Sequence, residues 1–187
     1  MTPDLRPAES KVILDLCGGT AAWSKPYAEA GYDVKLITLP EYDVRLHKPS
    51  ENVHGVLAAP PCTHLAGSGA RWWTEKGDGA LLEALSVVDA CMRIILIAKP
   101  KFWALENPVG RLVHYLGSPR MYFDPCDYGD PWTKKTALWG EFNEPEMNPV
   151  EPEPRSRIWT MPPSPDRPAL RSITPPGFAQ AFFEANL

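Results

Sequence analysis

An apolar run that stops at paired glycines is the feature that most constrains the fold of this chain. Residues 11–16 (Lys-Val-Ile-Leu-Asp-Leu) are followed closely by Gly18-Gly19, which predicts a buried strand that ends in a tight turn. Residues 21–30 have helical composition and end at a glycine, and residues 33–39 are rich in Val, Leu and Ile. Strand, glycine turn, helix, glycine and strand predict a βαβ unit, which requires a parallel sheet.

The alternation of strands and helices continues through the first two thirds of the chain. Residues 80–98 are the longest helical stretch, with apolar side chains spaced to form one face. The glycines between residues 67 and 79 predict a loop before that helix. The pattern predicts the α/β class, with a doubly wound, mostly parallel sheet. Further strands are predicted at residues 53–59, 102–105, 121–123 and 136–139, the last two as candidates for an antiparallel pair, and further helices at 111–116 and 177–185.

The charge of the chain argues against a protein that coats nucleic acid through bulk charge. Its 187 residues include 19 Lys and Arg against 23 Asp and Glu, which gives a formal net charge of -4. Domains that bind nucleic acid in that way usually carry a clear basic excess. A local basic groove remains compatible with this composition.

The cysteines and the apolar runs bear on the cellular setting. The four cysteines lie far apart without a C-x-x-C pair, so we expect neither a disulfide framework nor a metal site. The longest apolar run, residues 87–98, is too short for a membrane span and is interrupted by Asp89 and Arg93. Residues 1–10 do not resemble a secretory signal. We therefore expect a cytoplasmic protein that does not bind membranes.

Prolines divide the chain into segments. There are 22 of them, and ten lie between Pro145 and Pro176, where helices and strands are hard to sustain. We predict a core at residues 1–140, a proline-rich strap at 141–173, and a closing helix at 174–187. The strap carries its glutamates first and its arginines later. Two interpretations of the arginines stay open: contact with a phosphate backbone, or exposure to solvent on a strap packed against the sheet.

Three predicted strands end in residues that can carry chemistry. They are Asp15 to Gly19, Pro60-Pro61-Cys62, and Glu106-Asn107-Pro108. Ligands of such sheets bind at the carboxyl ends of the strands, so a glycine turn, a thiol and a carboxylate would meet at one edge. Each signal alone is weak, because glycine turns are common and a single cysteine is more often a small buried hydrophobe than a nucleophile.

In this order, the motifs resemble those of the DNA cytosine-5 methyltransferases. The Pro-Cys and Glu-Asn pair is the most specific part of the resemblance, which covers nearly the whole chain. It suggests a compact, phage-like member that lacks a full target-recognition domain. The matching segments are Asp15 to Trp23 for the S-adenosylmethionine motif, Ala59 to Cys62 for the Pro-Cys motif, Phe102 to Pro108 for the Glu-Asn-Val motif, Tyr128 to Thr136 for the base-reaching motif, and Thr174 to Asn186 for the closing helix.

The resemblance implies a Rossmann-like class I fold and methyl transfer to carbon 5 of cytosine in DNA, with S-adenosylmethionine as cofactor. The sulfur of Cys62 would add to carbon 6 of the ring and make carbon 5 nucleophilic, while Glu106 would hold the base. We expect nearby positive charge to lower the pKa of the Cys62 thiol. Lys134 and Lys135 stand where the family has arginine, and a solvated lysine pair is an equally open interpretation.

The remaining candidates bind cofactor or nucleic acid. Glu41 and its rival Asp43 follow the second strand, where an acidic group usually holds the ribose. Because Asp43-Val44 also resembles the short adenine-contacting motif of the family, we assign Glu41 to ribose and Asp43 to adenine. The other cofactor candidates are Asp15, Cys17, Gly18, Gly19, Trp23 and Pro60. The substrate candidates are His64, Ser68, Arg71, Asn107, Arg155 and Arg157.

Two alternatives remain at this point. The acidic net charge and the short strap favour the same chemistry on RNA or on a free pyrimidine nucleotide. Thr20, Ala21 and Ala22, which replace expected glycines, favour a catalytically silent binding subunit that needs a partner protein. The glycine-rich segment after Cys62 is also open to two interpretations, as a loop that closes over an extruded base or as a cap in which Trp72-Trp73 covers the core.

Overall fold

A mixed six-stranded sheet forms the centre of the protein. The computed structural model describes residues 11–49, 52–154 and 160–187. The strand order is β2-β1-β3-β4-β6-β5, and the predicted α/β class is confirmed. The strands are β1 (Val12–Leu16), β2 (Asp33–Ile37), β3 (Val53–Ala58), β4 (Phe102–Pro108), β5 (Met121–Phe123) and β6 (Thr136–Glu141).

The sheet has a parallel part and an antiparallel part. β1 pairs in parallel with β2 and β3, and β3 pairs in parallel with β4. β6 runs antiparallel to both β4 and β5, so the predicted antiparallel pairing of the two late strands is confirmed. Because of this reversal, the start of β6 meets the end of β4, with Thr136 opposite Pro108. Residues just before β6 are thereby brought to the carboxyl edge of the parallel strands.

The helices differ from the sequence prediction at three places, one of them a short helix at Arg167–Ser172 within the predicted proline-rich strap. They are α1 (Lys25–Glu29), α2 (Trp73–Ala98), α3 (Val113–Leu116), α4 (Arg167–Ser172) and α5 (Pro176–Ala185). α1 is shorter than the predicted helix at 21–30, because Ala21 takes a left-handed conformation and turns occupy residues 19–24. The predicted glycine-rich loop is largely helical: a 3-10 turn spans Gly67–Trp72, and α2 follows directly, broken only at Gly77 with φ 67°.

Each face of the sheet packs against its own helices. Leu14, Val56 and their neighbours on one face form a core with α2. On the other face, Ile13 and Leu57 pack with α1 and with Phe182 of α5. This alternation follows from the strand geometry, because successive side chains point to opposite faces. Gly55 of β3 permits the close approach of the Phe102 ring, which a side chain at that position would block.

Hydrogen bonds at the end of α5 fix this helix to the sheet. The Asn143 backbone N–H donates to Asn186 Oδ1 at 2.7 Å, and Asn186 Nδ2 returns a bond to the Asn143 carbonyl at 3.0 Å. The Tyr27 hydroxyl donates to the Asn186 carbonyl at 3.0 Å. These bonds satisfy polar groups that burial would otherwise leave without partners.

The first half of the strap runs along residues 126–131. Backbone bonds join Asn148 N to the Asp127 carbonyl at 2.9 Å and Val150 N to the Cys126 carbonyl at 2.8 Å. A third such bond joins Glu153 N to Pro131 at 2.9 Å. Residues 155–159, which include Arg155 and Arg157, lie outside the described residues. Within the described part of the chain, no helix has the length and apolar character needed to cross a membrane.

Candidate active site

The turn after β1 is built around a buried carboxyl group. Asp15 is fully buried, and the Ser24 hydroxyl donates a short hydrogen bond to its Oδ2 atom. Burial raises the pKa of Asp15 to about 6, and the bond from Ser24 only partly opposes this shift. Gly18 lies directly against the Asp15 carboxyl group, so that any side chain at residue 18 would collide with it. The Asp15 carboxyl group therefore packs against the turn on its buried side.

Trp23 lies in the core, away from the predicted cofactor site. Its ring packs against Phe178 and Phe182 of α5, with centroid distances of 5.9 and 5.4 Å. The sequence interpretation had assigned Trp23 to cofactor binding. The structure instead makes it the aromatic contact through which α5 holds the turn, because α5 covers the face of the sheet to which Trp23 points.

A cavity of about 290 Å³ opens between the ends of β1 and β2, the Cys62 loop and α2. Its walls are mostly apolar. Of the predicted cofactor and substrate residues, Cys17, Asp43 and His64 line it, whereas Glu41 is exposed and is not among the lining residues. The complete lining is Cys17, Ile37, Thr38, Leu39, Tyr42, Asp43, Val44, Arg45, Pro61, Thr63, His64, Glu83, Ala84 and Val87.

An ion-pair network stands at one side of this cavity. The Arg45 guanidinium lies 2.6 Å from Asp43 Oδ2 and 2.7 Å from Glu83 Oε1. Hydrogen bonds from the side chain and backbone of Arg45 hold the pKa of Asp43 below its usual value. Sequence reasoning did not find Glu83, because only the folding of α2 over the β2 end brings it to the cavity.

Cys17 is one of a pair of adjacent thiols. Cys17 has a left-handed backbone conformation, with φ 60°. Its side chain packs against the core that contains Cys91 of α2. A hydrogen bond between the two thiols lowers the pKa of Cys17 and is the largest cause of that shift. Cys17 therefore lies in the cavity wall, and the pKa of its thiol is lowered.

The ends of β3 and β4 are tied together beside Cys62. Asn107 is fully buried, and its Nδ2 atom donates to the Pro60 carbonyl at 2.9 Å. Glu106, the preceding residue, faces Lys134, with 3.7 Å between Oε1 and Nζ and each side chain 16% exposed. Lys134 reaches this position because it precedes β6, whose start lies opposite the end of β4. Thiol, carboxylate and ammonium groups thus meet at one edge of the sheet.

The electrostatics of Cys62 differ from the expectation. Burial raises the pKa of the Cys62 thiol, and the Glu106 carboxylate raises it further. Lys134 and Arg171 of α4 lower it, but they do not overcome the first two causes. The expected lowering of the Cys62 pKa is therefore wrong for the protein alone. Arg171 was noted in the sequence only as one of several arginines in the strap.

The two lysines of the predicted catalytic pair point to different partners. Lys134 Nζ pairs with Glu106, while Lys135 Nζ lies 3.5 Å from Asp124 Oδ2. Asp124 also accepts a bond from the Lys134 backbone N–H at 2.8 Å. The carboxylate of Asp124 thus fixes the backbone of the segment and draws one lysine away from the thiol.

Backbone bonds fix the segment that follows Cys62. Gly67 N donates to the Val109 carbonyl at 2.8 Å, and Arg111 N donates to the Leu65 carbonyl at 2.9 Å. Arg111 Nε also donates to the His64 carbonyl at 2.8 Å. Beyond these contacts, Ser68 and Arg71 are exposed on the 3-10 turn. Among the described residues, no cluster of His, Cys, Asp and Glu could hold a metal ion.

Comparison with known proteins finds only distant similarity. No protein-family model matches the sequence, and no curated protein matches it. One similar solved structure is provisionally assigned as a DNA modification methyltransferase encoded within an E. coli prophage. It is 17% identical in sequence, with a TM-score of 0.47, and the match covers 84% of this chain and 56% of the prophage protein. Another is the methyltransferase EhMeth of Entamoeba histolytica, at 13% identity, 78% and 58% coverage, and a TM-score of 0.48. This chain spans little more than half of either protein.

Proposed function

We propose that the chain is a compact, cytoplasmic methyltransferase that transfers a methyl group from S-adenosylmethionine to carbon 5 of cytosine in DNA. The observation that carries the proposal is the meeting of Cys62, Glu106 and Lys134 at the edge where β3, β4 and β6 come together. In this proposal, the sheet with its helices on both faces is a shortened, doubly wound class I fold. A partner protein could supply the sequence recognition that the short strap lacks.

The chemistry requires these three groups together. Carbon 5 of cytosine is a poor nucleophile, and addition of the Cys62 sulfur to carbon 6 converts carbon 5 into the reactive end of an enamine. Once carbon 5 has accepted the methyl group from the sulfonium, which leaves as a thioether, loss of the carbon-5 proton to a base expels the Cys62 sulfur and restores the ring. Glu106 would hydrogen-bond ring nitrogen 3 and the exocyclic amine and favour protonation of the ring as the sulfur adds. Lys134 would compensate the charge of Glu106 when no base is bound.

The raised pKa of Cys62 gives this arrangement a built-in dependence on substrate. One cause of that raised pKa is the negative charge of Glu106. When a cytosine shares a proton with Glu106, the negative charge near the sulfur is partly neutralised. The free energy needed to ionise the Cys62 thiol then falls. The nucleophile would therefore be activated when the base arrives, and would be protected from side reactions before that.

The cavity beside Cys17 fits the adenosine part of the cofactor. Its mostly apolar walls, with Ile37, Val44 and Pro61 among them, suit a flat ring, and Tyr42 and Asp43 add polar groups. When bound, S-adenosylmethionine supplies an electrophilic methyl group. Thr63 and His64, which follow Cys62, line the same cavity, so a ligand held there would lie next to the nucleophile.

A methyl-transfer assay tests the proposal. Wild type should transfer labelled methyl groups to cytosine-containing DNA, and Cys62→Ala should abolish transfer, while Cys126→Ala, which alters a half-buried thiol next to Asp124 and Asp127, should retain it. In the presence of S-adenosylmethionine, DNA that contains 5-fluorocytosine should form a denaturation-resistant adduct with wild type only, because the fluorine that replaces the carbon-5 proton cannot be removed. Absence of transfer by wild type, or equal transfer by Cys62→Ala, would refute the proposal.

A further inference from the structure

Two adjacent tryptophans at the start of α2 have opposite environments. Trp73 is half-buried, and the Arg111 guanidinium lies 4.6 Å from the centre of its ring. Trp72 is 46% exposed, and the guanidinium of its neighbour Arg71 lies 4.9 Å from the centre of that ring. The pair therefore does not act only as a cap on the core, since Trp73 anchors the helix start and Trp72 projects into solvent.

The turn that carries Trp72 contacts the loop that carries Cys62. Gly69, three residues before it, approaches the Thr63 carbonyl closely enough that a side chain there would contact the oxygen at 3.8 Å. Lys76, four residues after it, has its Nζ atom 3.4 Å from the same oxygen. Thr63 is the neighbour of Cys62 in the chain. The residues that flank Trp72 on both sides thus contact the Cys62 loop.

The turn that carries Trp72 is held in place by its neighbours. A partly exposed aromatic ring offers apolar area on which a ligand ring can stack. Here the Trp73–Arg111 contact and the bond from Gly67 to Val109 fix the turn on both sides. The backbone that carries Trp72 is thereby fixed, and the Arg71 guanidinium lies over the partly exposed ring.

We propose that Arg71 and Trp72 form a stacking platform for a base next to the target cytosine, and that the acceptor is single-stranded DNA. The inference rests on the proposed function and specifies its substrate. Proteins that bind single strands use exposed aromatic rings on which bases stack, together with arginine and lysine along the backbone. A flanking base offers its face to Trp72 only when it is not stacked in a duplex. Arg71 and Lys76 provide cations for the adjoining phosphates.

The first half of the strap disfavours a duplex. The segment 142–154 contains neither a helix nor a strand that could enter a groove. It runs beside residues 126–131, which lead to Lys134. A second strand passing here would bring its phosphates near carboxylates, which costs electrostatic free energy. The exposed glutamates of this region are Glu141, Glu144, Glu146, Glu151 and Glu153.

Binding measurements with labelled oligonucleotides test the inference without methyl transfer. Wild type should bind single-stranded DNA more tightly than the duplex or the RNA of the same sequence. Trp72→Ala should weaken single-strand binding about tenfold, which corresponds to about 1.4 kcal/mol, and Trp72→Phe should keep most of the affinity. Tyr122→Ala removes another exposed aromatic ring, on β5, and should leave binding unchanged.

The outcomes separate this inference from the proposed function. Tighter binding of the duplex or of RNA, or unchanged binding by Trp72→Ala, would overturn the stacking platform even if methyl transfer occurs. Single-strand binding that depends on Trp72 and persists in Cys62→Ala would support the platform. If the wild type then failed to transfer methyl groups, only the proposed chemistry would be lost.

Discussion

The turn after β1 and the loop after β3 end at the same edge of the sheet, yet they are held in different ways. Around Asp15 the β1 turn is fixed by its own residues, since Ser24 and Gly18 pack against Asp15 within ten residues of chain, while Trp23 near its end packs on the distant α5. The β3 loop is fixed by residues more than forty positions away, through the bonds to Pro60 and Gly67. A local turn depends on its own composition, whereas the nucleophile loop depends on the correct pairing of β4 beside it.

The largest effect on stability is expected at the buried carboxyl group of the β1 turn. The folded-state pKa of Asp15 is about 6, above its ordinary value of 3.8, so the folded state favours the protonated form. This contribution to stability is fully present below about pH 4 and is lost as the pH rises through 6. Asp15→Asn, which stays neutral, should therefore stabilise the protein at pH 7 by about 3 kcal/mol.

Urea denaturation at pH 4 and pH 7 would measure this effect. The gain from Asp15→Asn should shrink towards zero at pH 4, while Asp78→Asn, a change at an exposed position, should have little effect at either pH. A variant that is less stable than wild type at pH 7 and equal to it at pH 4 would mean that the turn requires the ionised carboxylate.

A smaller loss is expected when the link between β3 and β4 is broken. Asn107→Leu removes the donor to the Pro60 carbonyl and leaves a buried oxygen without its partner, which costs about 1–3 kcal/mol. The loss should be accompanied by slower formation of the 5-fluorocytosine adduct, because the Cys62 loop would no longer be fixed. Normal adduct formation in a destabilised protein would show that the backbone bonds at Gly67 and Leu65 suffice to hold the loop.

The sequence predicts features that are fixed by nearby residues better than features that are fixed by distant ones. The local pattern correctly predicted β1, its turn and β2, because apolar runs and glycines act over a few residues. It could not reveal that Lys134 meets Glu106 while Lys135 meets Asp124, since this depends on the register of β6 against β4. The core position of Trp23 could not be predicted because its surroundings are set by α5, some 155 residues later in the chain. The early start of α2 was missed because its glycines suggested a loop.

The cations near Cys62 should affect its reactivity unequally. Lys134 lowers the pKa of the thiol, so Lys134→Met should raise that pKa and slow alkylation of Cys62 at pH 8. Glu106→Gln removes a charge that raises the pKa, so it should accelerate the reaction. Peptide mapping after limited treatment with iodoacetamide would report each thiol separately. Lys135→Met is the matched control, and a rate as low as that of Lys134→Met would place both lysines at the thiol.

The smallest effect is expected at the ion pairs beside the cavity. Arg45 joins Asp43 to Glu83, but its side chain is 37% exposed, and exposed pairs contribute little to stability because solvent screens them. Arg45→Met should therefore leave the urea midpoint unchanged, while releasing the Asp43 carboxylate at the cavity wall. Calorimetry with S-adenosylmethionine would report whether that release alters affinity. A clear drop in the urea midpoint would instead show that this ion-pair network, despite its exposure, holds the end of β2 against α2. The cavity would then depend on contacts between distant residues, as the Cys62 loop does.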